Sequence, residues 1–109
     1  MQIEVISKQK PLAIEGKHIN VSLYGSLIGL IKEENLHYQS QAIELISEIS
    51  SFGDFENFLY QSIGSYFCVV TIDHESRCYS SLVHNGFYFV HQPESEIIKI
   101  SEEESDLIN

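Results

Sequence analysis

From Tyr66 to Ile72 the chain carries no charge, glycine or proline, and every residue but Cys68 is aromatic or β-branched. A run of this kind fits a strand with both faces covered, because branched and aromatic side chains pack well on a pleated surface. The rest of the sequence must supply that cover. With 109 residues there is room for one core, so residues 1–109 are expected to form a single domain.

The hydrophobic period changes along the chain in a way that assigns the remaining elements. Ile3-Glu4-Val5-Ile6 reads as a strand, and Pro11 and Gly16 punctuate a loop. Ile19, Val21 and Leu23 alternate with polar residues as in a half-buried strand; Gly25 is expected to break it before a short apolar strand over 27–31. Ala42, Ile43, Ile46 and Ile49 then recur at helical spacing with Ser40 as N-cap. A second short helix is expected from Asp54 as N-cap, with Phe55, Phe58 and Leu59 on one stripe and a stop near Gly64.

After the 66–72 strand, a four-residue loop over Asp73–Ser76 would pair Ile72 with Arg77 and Cys68 with Ser81. A second strand runs through Cys78, Ser80 and Leu82, and Asn85-Gly86 is a strong hairpin signal. Phe87-Tyr88-Phe89-Val90 and Ile97-Ile98-Lys99-Ile100 complete four strands, with a turn at Pro93-Glu94-Ser95. The expected fold is α+β, an antiparallel β meander with two short helices packed on it.

Charge narrows the partners. Sixteen acids face six bases, a net charge of -10, which argues against nucleic acid and anionic membranes, since both need clustered cations. Residues 51–109 hold ten of the acids and two of the bases. The excess culminates in Glu102, Glu103, Glu104 and Asp106, which read as a solvated end or as an interaction segment for a basic partner. No apolar stretch reaches membrane-span length and no signal peptide is evident, so the expected location is the cytoplasm. Cys68 and Cys78 fall on opposite strand faces in the expected register, which disfavours a disulfide; a different loop register would reopen it.

No residue pattern marks chemistry. In the expected hairpin about Asn85-Gly86, His84 pairs with Phe87 and His91 with Ser80, leaving the two imidazoles roughly 13 Å apart at ~3.3 Å per residue, too far for one zinc ion. His18, His37 and His74 are scattered, and no C-x-x-C or glycine-rich phosphate loop occurs. No catalytic, cofactor-binding or metal-binding residue is assigned.

The second half nevertheless resembles class II glutamine amidotransferase domains, as in asparagine synthetases. Ile63-Gly64-Ser65-Tyr66-Phe67 is similar to their Leu-x-Gly-x-Phe element, and Ile72-Asp73 to the acid that ends the following strand. Gly86-Phe87-Tyr88-Phe89 loosely matches a Pro-Leu-Tyr-Tyr segment, and Ser101-Glu102 with Leu107 a Ser-Glu strand end and short helix. The resemblance covers about residues 40–108. It implies part of the layered fold of N-terminal nucleophile hydrolases.

It also implies that the activity is lost. The family's nucleophile is a cysteine exposed by removal of the initiator methionine, and Gln2 stands there. Its Asn-Gly-Glu-Ile-Tyr-Asn oxyanion segment falls near Tyr24-Gly25-Ser26-Leu27-Ile28-Gly29, its Ser-Asp-x-Glu near Ser40-Gln41-Ala42, and its Arg-Asp near Tyr79-Ser80, all without the reactive side chains. Losing nucleophile or oxyanion donor alone costs orders of magnitude in rate.

A degenerate domain of this type is similar to the N-terminal region of lasso-peptide macrolactam synthetases, which implies a partner: an ATP-pyrophosphatase domain with a Ser-Gly-Gly-x-Asp-Ser loop. The chain would be a piece of such an enzyme or a stand-alone remnant, non-catalytic by itself. Two other readings stay open. One is a small acidic binding or inhibitor protein that covers a basic site. The other is a self-associating domain using the sheet face around Phe87 and Phe89.

Overall fold

The computed structural model describes residues 2–7, 10–81, 88–92 and 97–101, with backbone alone for 2, 88–92 and 97–99. Among the described residues the elements follow in the order β1 (Gln2–Ile6), β2 (Leu12–Glu15), β3 (Ile19–Lys32), β4 (Asn35–Tyr38), α1 (Gln39–Ser47), α2 (Phe52–Gln61), β5 (Ser62–Ile72), β6 (Glu75–Ser80), β7 (Tyr88–Gln92) and β8 (Ile97–Ser101). The fold is α+β, and its strand pairs are antiparallel except β1 with β8. Two compact units divide the chain, Pro11–His84 and the combination of Met1–Lys10 with Asn85–Asn109.

In the larger unit, β3 and β5 form the centre of a sheet ordered β2-β3-β5-β6, with β4 also on β3. Ile19 lies opposite Ile72, Val21 opposite Val70, and Leu23 opposite Cys68. Paired residues share a face, so these six buried side chains form one apolar layer. Ala42, Ile46 and Ile49 from the α1 side and Phe55, Phe58 and Leu59 of α2 join the same buried cluster. Because both helices lie on that face, β5 is not covered equally on its two sides. Tyr66, Cys68, Val70 and Ile72 are fully buried, Phe67 is buried on the other face, and Val69 and Thr71 are half-buried there.

Both helices start earlier than the capping residues suggest. In α1, the Tyr38 N–H donates to Gln41 Oε1 at 2.9 Å, so Ser40 lies inside the first turn rather than capping it. In α2, Ser51 is the N-cap and its hydroxyl accepts from the Asp54 N–H at 3.2 Å. Asp54 instead places its charge in the first turn, where the helix dipole favours an anion. The helix then passes into β5 without an intervening loop, with Ser62 as both C-cap and first strand residue.

Gly25 does not end a strand. β3 runs through it, with Gly25 at φ +113° opposite Tyr66 and Gly64 at φ +152° opposite Leu27. A Cβ on Gly25 would meet the Ser65 carbonyl oxygen, and one on Gly64 the Ser26 carbonyl oxygen. The backbones therefore approach closely here, just before a bulge between Leu27 and Gly29. Glycine marks a crossing that keeps a long strand in register.

Strands β2 and β4 are additions to the sequence reading. A two-residue turn, Glu33-Glu34, joins β3 to β4, and another, Asp73-His74, joins β5 to β6. The second replaces the expected four-residue loop, so Ile72 pairs with Glu75 and Cys68 with Tyr79. This moves the register by an even number, and Cys68 and Cys78 still lie on opposite faces, both as free thiols. All four turn residues have φ between 49° and 67°. Such turns favour glycine, because an L-residue in this region costs roughly 1–2 kcal/mol. His74→Gly is expected to raise stability by about 0.5–1 kcal/mol after the entropy cost of glycine. The urea midpoint should rise at unchanged m-value.

The smaller unit is a three-stranded sheet ordered β1-β8-β7. β1 runs parallel to β8, with Val5 opposite Ile100, and β7 runs antiparallel to β8. The expected four-strand meander is thus two separate hairpins. β6 and β7 belong to different sheets, so the expected His91–Ser80 pairing is not among the strand pairs of the described residues. The turns at Asn85-Gly86 and Pro93-Glu94-Ser95 lie outside the described residues.

Candidate functional site

Alternation along β6 puts Glu75, Arg77 and Tyr79 on the helix-bearing face, while the four-residue spacing in α2 puts Phe52 and Glu56 one turn apart. The two elements meet there. Tyr79 donates its hydroxyl hydrogen to Glu56 Oε2 at 2.8 Å, and Arg77 Nη1 lies 3.7 Å from the same oxygen. Arg77 Nε donates to Glu75 Oε2 at 2.9 Å, and its guanidinium carbon sits 4.2 Å from the centre of the Phe52 ring. The Glu75 hydrogen bond holds the Arg77 pKa above its ordinary value. Burial, then the Glu56 hydrogen bond, raises that of Tyr79. Each group is committed to another, and the ion pairs are exposed, so that solvent and salt screen them. This is a clamp between α2 and β6.

The two thiols and the hydroxyls packed beside them serve the fold. Burial pushes the Cys68 thiol far above its usual range, with Cys78 adding to the effect, and burial raises Cys78 to about 11. Neither supplies a thiolate near neutral pH. Ser62 donates to the Leu59 carbonyl at 2.9 Å and so accepts from the buried Tyr66 hydroxyl at 2.6 Å. The Tyr66 N–H donates to the Ser81 hydroxyl at 3.0 Å. These hydroxyls satisfy buried groups rather than activate one another.

The segments named for the sequence resemblance are spread over three parts of the described structure. Tyr24, Phe67 and Ser80 lie in one row across β3, β5 and β6. Ser40-Gln41-Ala42 occupies the first turn of α1 and Gln2 belongs to β1. His18 is exposed, His37 half-buried on β4 and His74 in a turn; no group of three His, Cys, Asp or Glu among the described residues could hold a metal ion. Glu102, Glu103, Glu104 and Asp106 lie outside the described residues. Among those described, no helix is long and apolar enough to cross a membrane.

Clefts open among the described residues of the larger unit. One, of about 770 Å³, is lined by residues that include Glu15, Lys17, His18 and Glu48; another, of about 320 Å³, by residues that include Lys32, Leu45, Asp54 and Phe58. Each mixes acids and cations without a convergent set. More distinctive is the ribbon of β3 and β4, where Ile31 lies opposite Leu36 and Gly29 opposite Tyr38. These four share the face opposite to buried Leu30, and Ile31, Leu36 and Tyr38 are all exposed. This surface depends on β4, whose one signal in the sequence is the alternation of Leu36 and Tyr38 about His37.

No protein-family model, curated protein or solved structure matches the chain.

Proposed function

We propose that the chain is a non-catalytic, amidotransferase-like module that supports an asparagine-synthetase-like, ATP-dependent amide-forming (macrolactam) enzyme by packing against its synthetase part. The observation that carries a binding role is the exposed apolar face of the β3–β4 ribbon, because apolar side chains clustered on a surface mark interaction sites. The amide-forming context rests on the sequence resemblance around Ile63-Gly64-Ser65-Tyr66-Phe67. The absence of glutamine hydrolysis in this reading rests on Gln2, which stands where the resembled family has its cysteine nucleophile.

The test is to assay an ATP-pyrophosphatase protein encoded with this chain for amide formation, with and without it. Stimulated amide formation is expected, with no ammonia released from glutamine by the chain alone. Ammonia release, or an unchanged synthetase, would sink the reading. The alternative, a small acidic protein covering a basic site, is favoured by charge: Pro11–His84 carries nine acids and three bases. In that case association should weaken steeply with ionic strength and need no synthetase.

A further inference from the structure

We propose that the outward face of the β3–β4 ribbon takes an extended segment of a partner protein, apolar at alternate positions and cationic at the end nearest Glu33 and Glu34. This rests on the reading of the chain as a binding module and not on the identity of its enzyme. Ile31, Leu36 and Tyr38 stand on one face with 50%, 49% and 66% of their surface exposed.

Backbone geometry adds a second requirement. The two-residue turn makes Lys32 and Asn35 the closing hydrogen-bonded pair, so Ile31 and Leu36 form the next, non-hydrogen-bonded pair. The Leu36 N–H and C=O therefore point away from β3, and β4 pairs with no other strand among the described residues. An added strand would satisfy those groups and set alternate side chains beside Leu36, on the face that also carries Ile31 and Tyr38.

Charge decides which occupant fits. The ribbon ends in two adjacent exposed carboxylates, Glu33 and Glu34. A second copy would bring another unit with nine acids and three bases, and Arg77 among those bases is already engaged with Glu75 and Glu56. Like charge disfavours self-pairing here, and a segment with lysine or arginine at one end is complementary.

The probe is a capped heptapeptide alternating valine and threonine with two lysines at one end. Its controls end in two glutamates or replace valine by threonine. Titrated into the ¹⁵N-labelled full chain, the lysine peptide is expected to give saturable shifts confined to residues 28–38, with affinity falling about tenfold or more between low and high salt. Both controls should bind at least about tenfold more weakly.

Leu36→Asp with Tyr38→Asp should abolish the shifts while leaving the circular dichroism spectrum intact, since both side chains are exposed. Glu33→Lys with Glu34→Lys should transfer the preference to the glutamate peptide. Shifts elsewhere, equal binding of all three peptides, or a sedimenting dimer abolished by the Leu36→Asp/Tyr38→Asp variant would overturn the proposal. Ribbon binding with no effect on a synthetase would support this surface and count against the amide-forming reading. Stimulation of a synthetase without ribbon binding would do the reverse.

Discussion

Phe55→Ala is expected to remove about 3–5 kcal/mol of stability, a large part of what a small domain has. Phe55 is 0% exposed, with ring centres of Phe58 at 5.6 Å and Tyr79 at 5.2 Å. Truncation leaves a cavity between α2 and the sheet and withdraws the surface on which Tyr79 is held for Glu56. At about 4 °C or more per kcal/mol, the thermal midpoint should fall by well over 10 °C. Phe55→Leu should lose much less. Tyr60→Ala, on the same helix but at a side chain 74% exposed, should stay within about 0.5 kcal/mol. Equal losses for Phe55→Ala and Tyr60→Ala would mean that α2 does not pack as described.

The second large effect is with alkali. Burial raises the Tyr66 phenol to about 12, Cys78 to about 11, and Cys68 further still. In each case the folded chain favours the neutral form, whereas the unfolded chain ionises at ordinary values near 9 for thiols and 10 for tyrosine. The stability they supply is thus complete below those values and is lost as pH rises towards the folded ones. While one group is ionised only in the unfolded chain, each pH unit withdraws about 1.4 kcal/mol.

Urea midpoints should be nearly level from pH 7 to 8.5 and fall steeply from about pH 9 to 11. Cys68→Ala and Tyr66→Phe should each start less stable at pH 7 and lose less between pH 8 and 11. A decline just as steep in both variants would place its cause in other groups.

The contrast between what the residues foretold and what they did not is physical. The β-branched run that became β5 and the apolar stripes of α1 and α2 are strong local signals, because the same side chains that set the period also fill the core. The start of α2 lies three residues before Asp54, and Ser51 and Asp54 both suit a helix N-terminus, one as cap and one through the dipole. Gly25 resembles a strand stop because a single sequence does not reveal that another glycine, Gly64, faces the neighbouring segment. Strands β2 and β4 are four residues long, and Glu33-Glu34 does not look like a tight turn. The pairing of β8 with β1 joins the two ends of the chain, a relation no local pattern encodes. No catalytic site was foretold; the apolar ribbon went unseen with β4.

Placing β3 and β5 in the interior of the larger sheet, behind the shorter β2, β4 and β6, also bears on solubility. Tyr66–Ile72 has the uncharged, β-branched composition that stacks into intermolecular sheets when its backbone is open. In the folded unit its two sides are taken by β3 and β6, so no second chain finds an edge there. Aggregation through this segment therefore requires β6 or β3 to detach first. Its rate follows the population of opened chains rather than the concentration of native protein alone.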